Sequence, residues 1–235
     1  MPLRVLTWNL LHGRAVPPAG RDLRGDFASA LAGWEWDVAL LQEVPPWWPP
    51  WLATTLRARA RLVLTSRNGL LPVRQAVAIR WPDLIKSNGG GANAILVRDH
   101  EIAQHRTLRL CRRPERRWLQ AVRLADGPWV GNLHATVHDA AGALRDGRLA
   151  AGTTLAWAAG APAVLGGDFN LRVRELALDG FTYAGGYDVD HVFTTSGLSA
   201  TGNAEVLDRG PLSDHAPVAI ELEVVDRSEE RPARR

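Results

Sequence analysis

This chain of 235 residues has one cysteine, one lysine and no long apolar run. The lone Cys111 excludes an internal disulfide framework and any cysteine-rich zinc site, and a chain without such staples fits a reducing compartment. No stretch approaches the roughly 18 apolar residues of a membrane-spanning helix. The apolar run at 3–11 is broken by Arg4 and Asn9 and is followed by no small-residue cleavage site, so it reads as a strand and not as a secretion signal. A cytoplasmic monomer is the expectation.

What is present is the profile of a globular protein, with 46% hydrophobic and 23% charged residues, 22 Gly, 15 Pro and 10 Trp. A single domain of roughly 200–250 residues buries about 70–75% of its extended-chain surface, enough for a sizeable core. One domain over 1–225 is expected, with 226–235 as a frayed, charged tail. The formal net charge is only +3, but it is unevenly spread. Between Arg57 and Arg123, 14 Arg and Lys86 stand against Asp83, Asp99, Glu101 and Glu115, a balance of +11 that leaves −8 elsewhere. Such polarisation suits a cationic wall beside an acidic, metal-binding pocket.

Alternation and short apolar runs predict strands at 3–10, 37–44, 62–65, 76–81, 92–97, 101–110, 117–124, 129–135, 162–165, 188–194 and 215–225. Helical spacing predicts helices at 22–34, with Leu23, Phe27, Ala30 and Leu31 on one face, and at 45–60. A third spans 139–159, with Ala141, Leu144, Ala151, Leu155 and Ala158 as its stripe. Gly142, Gly147 and Gly152 each weaken that third helix by about 1 kcal/mol. Strands joined by short connections favour antiparallel pairing, and two sheets face to face with helices outside is the predicted architecture.

Chemically useful side chains recur at strand ends: Asn9, Glu43, Asn132 and His134, Asp168 and Asn170, Asp190 and His191, Asp214 and His215. Convergence of those ends on one rim would assemble a site. Carboxylates and amides are hard oxygen donors, so Glu43 with Asp168, Asp214 and the Asn9 carbonyl suits Mg²⁺ or Mn²⁺ better than zinc.

Thr7-Trp-Asn-Leu-Leu-His-Gly13, Gln42-Glu-Val44, Gly131-Asn-Leu-His-Ala135, Gly166-Gly-Asp-Phe-Asn170, Val189-Asp-His-Val-Phe193 and Leu212-Ser-Asp-His-Ala-Pro-Val218 resemble, in order, the motif series of the endonuclease/exonuclease/phosphatase superfamily. The resemblance spans residues 3–222. It implies a four-layered α/β sandwich of two mainly antiparallel sheets with helices outside, and Mg²⁺-dependent cleavage of a phosphoester by in-line attack of water. It further implies Glu43 as the principal metal ligand, with Asn9 beside it and Asp214 as a direct or outer carboxylate. By the same resemblance, Asp168 and Asn170 orient or deprotonate the water, Asp190 fixes the tautomer of His215, and His134 contacts phosphate or acts as general acid. Many nucleases of the group use a central Tyr; here Tyr183 and Tyr187 both follow Asn170, which leaves that role to Arg67, Arg74 or no residue.

The substrate expected from the basic middle is nucleic acid, DNA before RNA, with Arg112, Arg113, Arg116 and Arg117 as phosphate contacts. The same arginines could equally be a solvated strand pair. A phosphoinositide phosphatase or sphingomyelinase-like enzyme, acting on a phosphorylated small molecule or lipid headgroup, is the alternative on the same site. A non-catalytic binding module is disfavoured by the full set of acidic and histidine residues. His12 and His191 read as structural, and Trp47, Trp48 and Trp51 as packed core.

Overall fold

The computed structural model describes residues 2–65, 68–84, 91–113 and 115–225. In chain order the elements are β1 (Leu3–Asn9), α1 (Arg24–Gly33), β2 (Val38–Val44), α2 (Trp48–Thr55), β3 (Arg59–Leu64), α3 (Leu71–Arg80) and β4 (Ala92–Val97). There follow β5 (Ile102–Cys111), β6 (Arg117–Leu124), β7 (Trp129–His134), α4 (Ala140–Ala158) and β8 (Ala163–Asp168). The chain ends in β9 (Thr182–Tyr187), β10 (Asp190–Thr194), β11 (Leu198–Ala200), β12 (Glu205–Val206) and β13 (Val218–Val224).

One sheet runs β11-β13-β1-β2-β4-β3, with β12 also on β13, and the other runs β5-β6-β7-β8-β10-β9. The layering follows from the period-2 alternation of the strands. In β2, Val38 and Leu40 face the second sheet and meet Val122, Val130, Val164 and Val192. Ala39 and Leu41 face the other way, onto Phe27, Leu31 and Leu52 of α1 and α2. The second sheet covers its outer face with Ala143, Ala150 and Ala151 of α4. Three apolar layers therefore separate four structural ones, and the expected two-sheet α/β sandwich is what forms.

Pairing is antiparallel except β1–β2 and β7–β8, the two pairs whose strands are joined by a crossover through α1 or α4. These parallel pairs decide where function can sit. Both pairs end their strands on the same rim, and the antiparallel neighbours β10 and β13 start there.

Several details differ from the sequence reading: the helix expected over 45–60 stops at Thr55 and Arg59 already opens β3, and β9, β11 and β12 fall outside the expected strands. Residues 76–81, predicted as a strand, belong to α3, whose first turn carries Pro72, compatible with a helix start. The buried stripe of α4 is Ala143, Asp146, Gly147, Ala150, Ala151, Thr154 and Ala158, while Ala141 is exposed. Gly142 and Gly147 thus face the packed side. The Trp cluster is core as expected: Trp48 is buried and its ring lies 5.5 Å from that of Phe27, with Trp47 and Trp51 packed against the same layer. Arg67, Lys86 and the tail 226–235 lie outside the described residues.

Candidate active site

The cleft at this rim, about 260 Å³, is lined by Asn9, Leu11, His12, Glu43, Thr65, Glu115, Arg117, His134, Val137, Asp168, Asn170, Asp214 and His215. Asn9 ends β1, His134 ends β7 and Asp168 ends β8, with His134 directly opposite Asp168 in the ladder. That close pairing needs Gly167, whose φ is +136° and where a Cβ would stand 2.1 Å from the Leu133 carbonyl oxygen.

Glu43 reaches the cleft through a register shift between Leu41 and Val44, and it sits at φ +51°. A non-glycine residue held in this left-handed region costs of order 1–3 kcal/mol and persists where the surroundings over-determine it. Here they do. The Asn132 amide donates to the carbonyls of Leu41 (3.1 Å) and Ala94 (2.9 Å), and Gln42 Nε2 donates to Asn132 Oδ1 at 2.8 Å. This buried bridge ties the second sheet to the first directly behind Glu43. Leu11, His12, Asn170 and Ser213, all around the cleft, are also left-handed.

The seam is closed a second time by Asn9 Nδ2, which donates to Asp168 Oδ2 at 3.0 Å, while Asn9 Oδ1 accepts from the Leu11 N–H. Asp168 Oδ1 accepts from the Asn170 N–H at 2.9 Å, and Asn170 Nδ2 donates to the Ala135 carbonyl. Asp190 Oδ2 lies 2.6 Å from His215 Nδ1, the pairing expected from sequence. Ser213 holds the loop that delivers His215: its hydroxyl donates to the Asn9 carbonyl at 2.6 Å and accepts from the His215 N–H at 3.1 Å. Asp214 lines the cleft with its side chain half exposed.

Arg117 is set apart from the other three candidate arginines. Arg112, Arg113 and Arg116 are exposed at the turn between β5 and β6, whereas Arg117 is buried and enters the cleft. Its guanidinium lies 3.0 Å from Glu115 and 3.0 Å from His134 Nδ1. Guanidinium only donates, so His134 Nδ1 must accept and the ring proton sits on Nε2. Burial, Arg117, His215 and His12 hold the His134 imidazole well below its usual titration range, so it is neutral at pH 7.

His215 is the opposite case. Burial disfavours its charge, but the Asp190 hydrogen bond and the charges of Asp190, Asp168 and Asp214 outweigh it and push the imidazole up to about 10. Burial and the nearby Asp168 raise Glu43 to about 7. The two Nε2 atoms converge on Asp168 Oδ2, at 3.4 Å from His134 and 3.9 Å from His215. The cluster is thus one of crowded carboxylates whose charge is incompletely balanced, and Asp190 Oδ1 is buried without a hydrogen-bond partner among the described residues. Asp168, Asp190 and His215 present ligand atoms within 4.8 Å of one another. His215 is held there as the charged partner of Asp190, so the donors that suit a hard divalent cation are the oxygens lining the cleft, from Glu43, Asn9, Asp168 and Asp214.

These titrations set a stability profile for the cation-free protein. Above pH 6.5 the folded chain keeps a proton on His215 that the unfolded chain has lost, so stability falls as pH rises from 6.5 through about 10. Glu43 acts in the same sense between 4.5 and about 7. His134, lowered, opposes the trend only below 6.5. In EDTA, the melting temperature should therefore drop progressively as pH is raised above neutrality; a flat profile there would mean that the His215–Asp190 ion pair is not formed.

His12, structural on the sequence reading, places its Nε2 3.1 Å from Glu43 Oε2. The 3-10 turn at Leu11–Gly13, with His12 at φ +54°, swings it into the cleft, and no spacing rule announces that. Ser213 likewise carries no signal in the sequence beyond its place in the motif. His191 is structural as expected: it is buried, bonds the Leu171 carbonyl at 2.8 Å and packs with Phe169, Tyr183 and Phe193. Arg74 turns back to the Gly69 carbonyl on α3 and does not line the cleft.

A four-layered sandwich with carboxylates, amides and three imidazoles gathered on one rim defines a phosphohydrolase class. The chain matches the model of the Endonuclease/Exonuclease/phosphatase family over residues 6–215 and belongs to that family. Solved structures share the fold. An endonuclease/exonuclease/phosphatase from Beutenbergia cavernae is 21% identical with a TM-score of 0.70, covering 95% of this chain and 72% of that one. The Bacteroides thetaiotaomicron mannosyl-6-phosphatase is 17% identical with a TM-score of 0.69, covering 94% and 99%. The human Nocturnin catalytic domain, with bound sulfate, is 15% identical with a TM-score of 0.67, covering 95% of each. No curated protein matches the sequence significantly.

Proposed function

We propose that the chain is a divalent-cation-dependent phosphodiesterase that hydrolyses nucleic acid by in-line attack of water. The observation that carries the polymeric substrate is the length of the site. The main cleft continues into a second one lined by Tyr187, Asp188, Val189 and Asp190, and the two share Asn170, Asp214 and His215. A groove open beyond the reacting centre suits a chain that extends past the scissile phosphate, with the exposed Tyr187 ring available for stacking at one end. The exposed Arg112 and Arg113 stand at the turn that leads into Glu115 and Arg117 at the other.

Glu43, with Asp214 and Asn9 beside it, would hold Mg²⁺ or Mn²⁺, and such a cation supplies charge neutralisation at a non-bridging oxygen and at the leaving oxygen. Asp168, oriented by Asn9 and Asn170, holds the attacking water and accepts its proton. His134, fixed by Arg117 as a neutral Nε2–H donor, binds a phosphoryl oxygen and is a poor general acid. His215, charged and oriented by Asp190, faces the same point and stabilises the negative charge that builds there.

A second reading, a lipid-headgroup phosphodiester, keeps the bond and the mechanism and is favoured by one observation, the exposed Val73 and Ile79 on α3. The test is a substrate panel in Mg²⁺ at low salt: plasmid DNA, abasic duplex, single-stranded DNA, RNA, inositol phosphates and sphingomyelin vesicles. Cleavage of nucleic acid is expected, and turnover of the lipid or inositol substrates alone would end the nuclease reading. Neutralising Arg112, Arg113 and Arg116 together should also reduce the salt slope of DNA binding, by about 0.9 for each phosphate that is no longer neutralised. An unchanged slope assigns those arginines to a solvated face.

A further inference from the structure

Helix α3 carries apolar side chains on both of its sides. Ala78 is its only fully buried residue, and the half-buried, inward positions are Leu71 and Val77 together with the polar Arg74 and Gln75. Val73 and Ile79 point to solvent, 59% and 53% exposed, and the flanking Leu70, Trp81 and Leu84 are 79%, 53% and 70% exposed. A single exposed leucine needs no explanation, but five exposed large apolar side chains on and beside one helix mark an interaction surface.

We propose that this face docks on an anionic phospholipid surface. Charge favours that occupant. Between Arg59 and Pro82 the sequence holds no acidic residue; of its arginines Arg59 is paired with Glu101 and Arg74 with the Gly69 carbonyl, which leaves the exposed Arg80 as the cation on the helix itself. Asp83, the first acid after it, is engaged by Arg14 at 3.4 Å and by the Gly20 N–H at 2.8 Å. Arg80 lies over the Trp81 ring at 5.2 Å, which sets a cation and an interfacial aromatic side by side at the end of the helix. Size favours it too. A stable protein partner needs about 20–30 residues a side, and one ten-residue helix with its flanks falls well short. A bilayer has no such threshold, because a few apolar side chains and a few basic ones add up independently.

The position gives the docking a consequence. The segment is fastened to the mouth of the cleft at both ends, through Thr65, which lines it, and through Asp83 on Arg14, two residues from His12. A bound membrane would therefore lie beside the site. The inference concerns binding alone: its failure would leave the nuclease reading untouched and would remove the one observation that favours a lipid headgroup.

The experiment is co-sedimentation of the full chain with phosphatidylcholine vesicles, with and without phosphatidylserine, for the wild type and for Val73→Glu/Ile79→Glu. Both positions are exposed, and unchanged hydrolysis of bis-p-nitrophenyl phosphate will show that the variant is folded. Wild type should bind the phosphatidylserine vesicles and the variant should lose on the order of tenfold or more in affinity, with weak binding to phosphatidylcholine alone. Equal sedimentation of wild type and variant, or no binding to anionic vesicles, overturns the proposal. So does a wild-type dimer in analytical ultracentrifugation that the double substitution dissociates, or a loss confined to oligonucleotide binding; these assign the face to a second copy or to nucleic acid.

Discussion

Replacing Glu43 with glutamine is expected to lower kcat/KM by roughly 10³-fold or more, the scale of losing a pre-organised electrostatic element at the reacting centre. The side chain keeps its shape and loses its charge. Its backbone is already committed to a strained φ of +51° by the bridge from Asn132 and Gln42, so an isostere will stay in place. Stability should move the other way. Burial and Asp168 make the Glu43 carboxylate costly, pushing it up to about 7, so removing the charge should leave the cation-free protein no less stable at pH 8. The two readouts together identify the residue: activity gone, melting temperature in EDTA unchanged or higher, and the thermal shift on adding Mg²⁺ abolished. Wild-type turnover with the same Mg²⁺ midpoint would remove Glu43 from the cation site.

Asp190→Asn should cost about 10³–10⁴ in kcat with the Mg²⁺ midpoint unchanged, the size expected when an imidazole loses the carboxylate that fixes its tautomer and charge. Asp190 Oδ2 takes the Nδ1 proton of His215 at 2.6 Å, and its own carboxyl is raised to about 7 by burial, opposed by that bond. An amide cannot sustain the ion pair, so His215 would become neutral at pH 7 and free to flip. Because the two residues act through one proton, the double variant Asp190→Asn/His215→Ala should be no slower than His215→Ala alone. Additive losses would mean that Asp190 acts elsewhere, for instance as a cation ligand through its unpartnered Oδ1.

Much of this site is legible in the sequence because parallel crossovers place polar residues at the ends of apolar runs. Asn9, His134 and Asp168 each end a strand whose apolar run is plain in the sequence, and Asp190 with His215 stands where antiparallel neighbours begin. The run of arginines from Arg112 to Arg117 hides that Arg117 is the one turned inward. What is illegible depends on backbone dihedrals and on surface. His12 enters the cleft only because a short turn takes φ to +54°. Residues 76–81 read as a strand because Val77, Ile79 and Trp81 alternate and are β-formers. That pattern assumes apolar side chains point inward, and α3 points Ile79 out. Gly142 and Gly147 look like defects in α4, but they lie on its packed side, where Gly147 faces Phe169.

The seam between the sheets has a consequence for when the enzyme can act. Asn9 and Glu43 belong to the first sheet, and His134, Asp168 and Asp190 to the second. His215 arrives on the loop before β13, which returns to pair with β1. Neither sheet alone carries a competent set, and the Asn9–Asp168 and Gln42–Asn132 bonds form only when the two halves meet in register. Hydrolytic power is therefore a property of the finished molecule. A chain still emerging, or one that has opened along the seam, has these groups apart, so topology itself withholds the site until folding is complete.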